Sequence, residues 1–123
     1  MDFQTPDSII QELKTIRAES SKGVDALFDA EKRLAELDLA FDKAFSKALL
    51  DAKGTVADRE ALACLEASEA RFERDLQRAV VSRIKTKLKM LSEQQMSVQT
   101  QARMVELTWR TSLNGAGTLF LWG

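Results

Sequence analysis

Histidine and tyrosine are both missing from these 123 residues. With them go the usual general base at neutral pH, the commonest metal ligand and a phenolic acid. A single cysteine, Cys64, excludes an intramolecular disulfide and with it the stapled scaffold of small secreted domains. Proline occurs once, at Pro6, and glycine five times, so breakers are scarce and regular elements must be long. The longest run of large apolar residues is Leu119-Phe120-Leu121-Trp122, far below the roughly 20 residues that span a bilayer. Met1-Asp2-Phe3-Gln4 has neither the basic nor the apolar region of a secretory leader. The expectation is a soluble, cytoplasmic, single-domain protein over residues 1–123, with no membrane contact.

What the chain does have is charge and helical period. Charged residues make up 30% and hydrophobic residues 45%, the composition of a folded chain. The net charge of −1 conceals a division. Residues 1–70 carry 9 Lys and Arg against 15 Asp and Glu, a net of −6, and residues 71–123 carry 9 against 4, a net of +5. Either the two halves lie against each other, or the basic half faces a polyanion.

Thr5-Pro6-Asp7 reads as a helix start: a capping hydroxyl, proline at the first helical position and an acid in the first turn. Apolar or small residues then follow a 4-3 spacing through Ile9, Leu13, Ile16, Gly23, Leu27, Ala30, Leu34, Leu37, Phe41, Ala44 and Ala48. The phase survives Gly23, which predicts one helix over about 6–53. A bend at Gly23 and a corner folding a short N-terminal helix back both remain open. Lys53-Gly54-Thr55 is the predicted turn, with Gly54 past a helix end and Thr55 capping toward Asp58. A second helix is predicted over about 56–113. Its seam reads Leu62, Leu65, Glu69, Phe72, Leu76, Val80, Ile84, Leu88, Leu91, Gln95, Val98, Ala102, Val105, Trp109 and Leu113. The four-residue steps 76-80-84-88 read as a stutter. Asn114-Gly115 and Gly117 are expected to end this helix, leaving an apolar tail at 114–123.

The predicted fold class is all-α: a long antiparallel helical hairpin, coiled-coil-like, that assembles into a helical oligomer. Folding at Gly54 sets Gly23 against Ile84, Ile16 against Leu91 and Ile9 against Val98, small or branched residues facing each other. Ile10, Val24, Phe28, Leu39, Phe45 and Leu49 fall off the seam and widen the apolar face of the first helix. On this register the first helix covers the second only to about residue 102. Val105, Trp109, Leu113, Leu119, Phe120, Leu121 and Trp122 then project past it, which predicts an interface for self-association or a protein partner.

Nothing points to catalysis. Cys64 lies between Leu62 and Leu65 with no histidine to activate it, and is expected as a packed thiol. The pairs Asp25/Asp29, Asp38/Asp42 and Glu66/Glu69 offer too few ligands for a metal and read as a solvated face. No phosphate loop, zinc spacing or triad occurs, so no catalytic residue, metal or cofactor is expected. The candidate nucleic-acid-binding residues are Arg71, Arg74, Arg78, Arg83, Lys85, Lys87 and Lys89. Arg71, Arg74, Arg78, Lys85 and Lys89 share one helix face over roughly 27 Å, long enough to track single-stranded backbone. The alternative is that these cations pair with acids of the first helix.

Ile10-Gln11-Glu12-Leu13-Lys14 at a helix start, the central basic stretch, and Trp109-Arg110 followed by Gly115 give a layout that resembles small all-helical proteins of tailed bacteriophages. Within these it looks most like the UvsY-type recombination mediators. The resemblance implies a homo-oligomer in the host cytoplasm that binds single-stranded DNA and helps load a recombinase. The slightly acidic balance and the tail 118–122 depart from that pattern. A protein-binding module without nucleic-acid contact, such as a phage assembly factor or an inhibitor of a host defence protein, is the alternative.

Overall fold

Proline at the first helical position and a hydroxyl just before it begin the first element in the computed structural model, which describes residues 5–122 and side chains as far as Ser112. Thr5 and Ser8 cap each other: the Ser8 N–H donates to Thr5 Oγ1 at 3.1 Å and the Thr5 N–H to Ser8 Oγ at 3.0 Å. Helix α1 then runs unbroken over Pro6–Asp51. Gly23 is an ordinary helical residue, half-buried on the seam, so the corner is excluded. The expected 4-3 seam of α1 is observed: Ile9, Ile16, Ala30, Leu37 and Ala48 are buried, with Leu13, Leu27, Leu34, Phe41 and Ala44 half-buried between them. Phe45 and Leu49, expected off the seam, are half-buried as well.

The turn forms where glycine allows it. Gly54 has φ +119°, a conformation that a Cβ disfavours. Thr55 caps α2 (Val56–Glu66) by accepting from the Asp58 N–H at 3.2 Å. Arg59 Nη2 reaches back to the Leu49 carbonyl at 3.0 Å, satisfying one of the acceptors that the end of α1 leaves open. At Ala67 (φ −89°, ψ 7°) the helix is locally distorted, and α3 follows over Ser68–Trp122. The bonds Ala67 N–H to Ala63 O and Arg71 N–H to Ala67 O, 3.0 and 2.9 Å, carry the helical pattern across the distortion. The described residues are all-α, as expected, and none of their helices is long and apolar enough to cross a membrane.

The chain forms two compact units, Met1–Lys22 with Leu88–Gly123, and Gly23–Lys87. In the first, Ile9, Ile16 and Val98 form a buried cluster against which Leu13, Ala102 and Val105 pack. Val105 was expected to project past α1 and does not. A seam side chain sits in a hole made by residues a turn to either side, so the first turn of α1 covers more of its partner than pairing opposite residues suggests.

The second unit corrects the expected seam. Leu62, Leu65, Phe72, Leu76 and Val80 are exposed; the residues turned inward are Ala63, Ala67, Ala70, Arg74, Gln77 and Val81. This inner row continues through Ile84, Leu88, Leu91, Gln95, Val98, Ala102 and Val105 in strict 4-3 steps, so there is no stutter. Partners on α1 hold this face inward: Arg74 lies over the Phe41 ring and Gln77 donates to the Ala30 carbonyl. At the alanine positions a large side chain would overfill the seam. Ala67 is only 1% exposed.

The helix end expected at Asn114-Gly115 is also overturned, because α3 continues to Trp122. A glycine stops a helix by turning left-handed, and among the described residues Gly54 alone has positive φ.

Candidate interaction surfaces

The basic face is built on α3 opposite the acids of α1. Arg74 is the most enclosed of its cations, with its side chain 15% exposed. Its guanidinium lies 4.3 Å from the centre of the Phe41 ring, 3.9 Å from Asp38 Oδ1 and 3.1 Å from Asp75 Oδ1. Arg78 reaches the same two carboxylates at 3.6 Å each. Lys85 Nζ stands 3.8 Å from Glu31 Oε1. Near these pairs, Gln77 Nε2 donates to the Ala30 carbonyl at 3.0 Å. Arg74 and Gln77 thus occupy inner positions without leaving their polar ends unmatched.

The pairing alternative therefore accounts for the middle of the five-residue face. Of its members in the unit Gly23–Lys87, Arg71 is exposed and makes no ion pair among the described residues. Arg83 and Lys87 are likewise exposed and unpaired there, but lie on a different side of the helix. Lys89, in the other unit, is exposed and unpaired. Exposed pairs of this kind add about 0–1 kcal/mol each. Their main consequence is to occupy the cations.

The apolar surfaces are more extensive. On α2 and α3, Leu62, Leu65, Phe72 and Leu76 repeat at helical spacing on the side turned away from the alanine seam, with Val80 one turn on. Leu65 is 70% exposed and Phe72 66%. Glu66, Glu69 and Glu73 line this ridge, exposed and without ion pairs among the described residues. On α1, Val24, Phe28, Leu39 and Leu50 form an outward ridge of their own, with Phe28 68% exposed. The sequence marked Val24, Phe28 and Leu39 as surplus to the seam. It missed the α2–α3 ridge by taking that ridge for the seam, although the unbroken 4-3 phase running back from Ile84 to Ala63 was available.

In the unit containing both chain ends, Pro6, Ile9, Ile10, Leu13, Ala102, Val105, Glu106 and Trp109 line an open apolar groove of about 390 Å³. Trp109 forms its rim and is 60% exposed. Of the other expected interface residues, the side chains of Leu113, Leu119, Phe120, Leu121 and Trp122 lie outside the described residues.

Cys64 is exposed rather than packed, because it falls beside Ala63 and off the seam. Asp38 serves Arg74 and Arg78. Among the described residues no three or more Cys, Asp or Glu side chains gather in a way that could hold a metal ion. Comparison with protein-family models, curated proteins and solved structures finds no match to this chain.

Proposed function

We propose that this chain is a non-enzymatic assembly protein that acts by helix-to-helix contact with copies of itself and with protein partners. The observation that carries the reading is the inverted packing of the unit Gly23–Lys87. Ala63, Ala67 and Ala70 begin the α2–α3 seam, while Phe28, Leu39, Leu65, Phe72 and Leu76 are each more than half exposed. Large apolar side chains arrayed along two helix faces mark surfaces that are covered in use. Light scattering on a sizing column, over a range of protein concentrations, tests it. A mass that rises with concentration is the expected result, and a monomer throughout would sink the self-association part. A chain ended at Asn114 asks whether the tail with Leu119, Phe120, Leu121 and Trp122 adds a contact, in which case the shortened chain gives a smaller species.

The second reading is the single-stranded DNA-binding recombination accessory suggested by the UvsY-type resemblance, with Arg83 and Lys87, one turn apart on α3, as phosphate ligands. Their exposure, with no ion pair among the described residues, is what favours it. Counterion release makes such binding salt-dependent. Uptake of a labelled oligonucleotide that weakens as salt rises would put this reading first. No uptake at low salt would leave protein contact as the function.

A further inference from the structure

Both outward ridges of the unit Gly23–Lys87 carry a charge gradient. On α2–α3 the start of the ridge is acidic, with Glu66, Glu69 and Glu73 beside Leu62, Leu65 and Phe72. Its far end, past Leu76 and Val80, is basic, with Arg83 and Lys87. On α1 the order along the chain is the same. Asp25 and Asp29 flank Val24 and Phe28, whereas Lys43 and Lys47 stand between Leu39 and Leu50. All of these charges are exposed and none is in an ion pair among the described residues, and Lys32 joins the basic set. The acids Glu36 and Asp38 are already engaged by Arg33 and by Arg74 and Arg78, which leaves Asp42 as the remaining acid between 32 and 50.

Two ridges with the same charge order are complementary when laid antiparallel. Glu66–Glu73 then meets Lys43–Lys47, and Arg83–Lys87 meets Asp25–Asp29. The centres of the two charge clusters lie about 15 residues apart on α3 and about 18 on α1, roughly 23 and 27 Å at the helical rise. The apolar surface exposed on each ridge is on the order of 500 Å², against roughly 800 Å² per partner in a standard interface that includes its polar rim. Pairing the α2–α3 ridge with the same ridge of another copy in parallel would stack Glu66, Glu69 and Glu73 on one another. Antiparallel self-pairing is the outcome in which Phe28→Asp still assembles. Neither ridge is covered among the described residues.

We infer that the occupant of the α2–α3 ridge (Leu62, Leu65, Phe72, Leu76) is the α1 ridge (Val24, Phe28, Leu39, Leu50) of a second copy, docked antiparallel and head to tail. This rests on the self-association reading above and specifies its geometry. Such a contact uses a different surface on each partner, so every copy keeps one free ridge of each kind and the assembly grows into a ring or a filament.

The test uses two full-length variants, each changing an exposed residue on one ridge: Phe28→Asp and Phe72→Asp. Each alone is expected to lose assembly while keeping the helical circular dichroism of the parent. Mixed, the two are expected to form a dimer of one copy each and to stop there, because one intact ridge of each kind remains. If either variant assembles as the parent does, head-to-tail docking is overturned while self-association stands. If the parent is monomeric at every concentration, both fall. Lys43→Glu with Lys47→Glu tests the register and should weaken assembly about tenfold; unchanged affinity would overturn the antiparallel alignment.

Discussion

The two compact units solve the same problem with opposite residues. In the unit Met1–Lys22 with Leu88–Gly123, the inner positions are Ile9, Ile16, Leu91 and Val98, large and branched. In Gly23–Lys87, α1 supplies the large residues and α2–α3 answers with Ala63, Ala67 and Ala70, followed by Arg74 and Gln77. The outer positions differ in kind rather than number. Residues 90–107 present Met90, Met96, Met104 and Leu107, mostly flexible thioethers, whereas residues 62–76 present Leu62, Leu65, Phe72 and Leu76 around Glu69. A seam of alanines brings helices close and releases the larger side chains for another contact.

That contrast can be broken by substitution. Ile16→Ala removes a side chain that is almost completely buried beside Ile9 and Val98. It should cost about 3 kcal/mol in urea unfolding, and a cost below about 1 kcal/mol would mean the cluster is not the main support of its unit. Ala67→Leu attacks the other seam by overfilling it, with an expected loss of about 2 kcal/mol. A neutral result would show that α2–α3 can rotate to place its large residues inward. Gly54→Ala, at φ +119° with Asp58 Cβ 3.4 Å from the added carbon, should cost about 1–2 kcal/mol. Leu65→Ser sharpens the comparison at the small end. At concentrations too low for assembly it should change stability by no more than about 0.5 kcal/mol, although Leu65 is as apolar as any residue of the cluster around Ile16.

Much of this was legible in the chain. The cap at Thr5-Pro6, the whole seam of α1 across Gly23, the turn at Gly54 and the cap at Thr55 follow from the residues at those positions. The lower seam from Ile84 to Val105 was legible too, because there the most hydrophobic residues are also the inner ones. Reading failed between 62 and 80, where hydrophobicity and phase disagree. Leu62, Leu65, Phe72 and Leu76 make the stronger stripe, and Ala63, Ala67, Ala70, Arg74 and Gln77 make the inner one. A single-chain pattern cannot distinguish a stripe meant for a neighbouring helix of the same chain from one meant for another molecule. The same ambiguity affected the basic face. The spacing of Arg74, Arg78 and Lys85 suits a polyanion, but it suits Asp38 and Glu31 of α1 equally well, and these lie within 4 Å.

The sequence by itself determined the elements and their one tight turn. Helical period, caps and a glycine at positive φ are set by groups a few residues apart, and their energies depend little on what packs around them. Tertiary structure decided which face of α2–α3 turns inward and which cations are already paired. Those choices depend on volume and charge supplied by residues some 25 to 55 positions away.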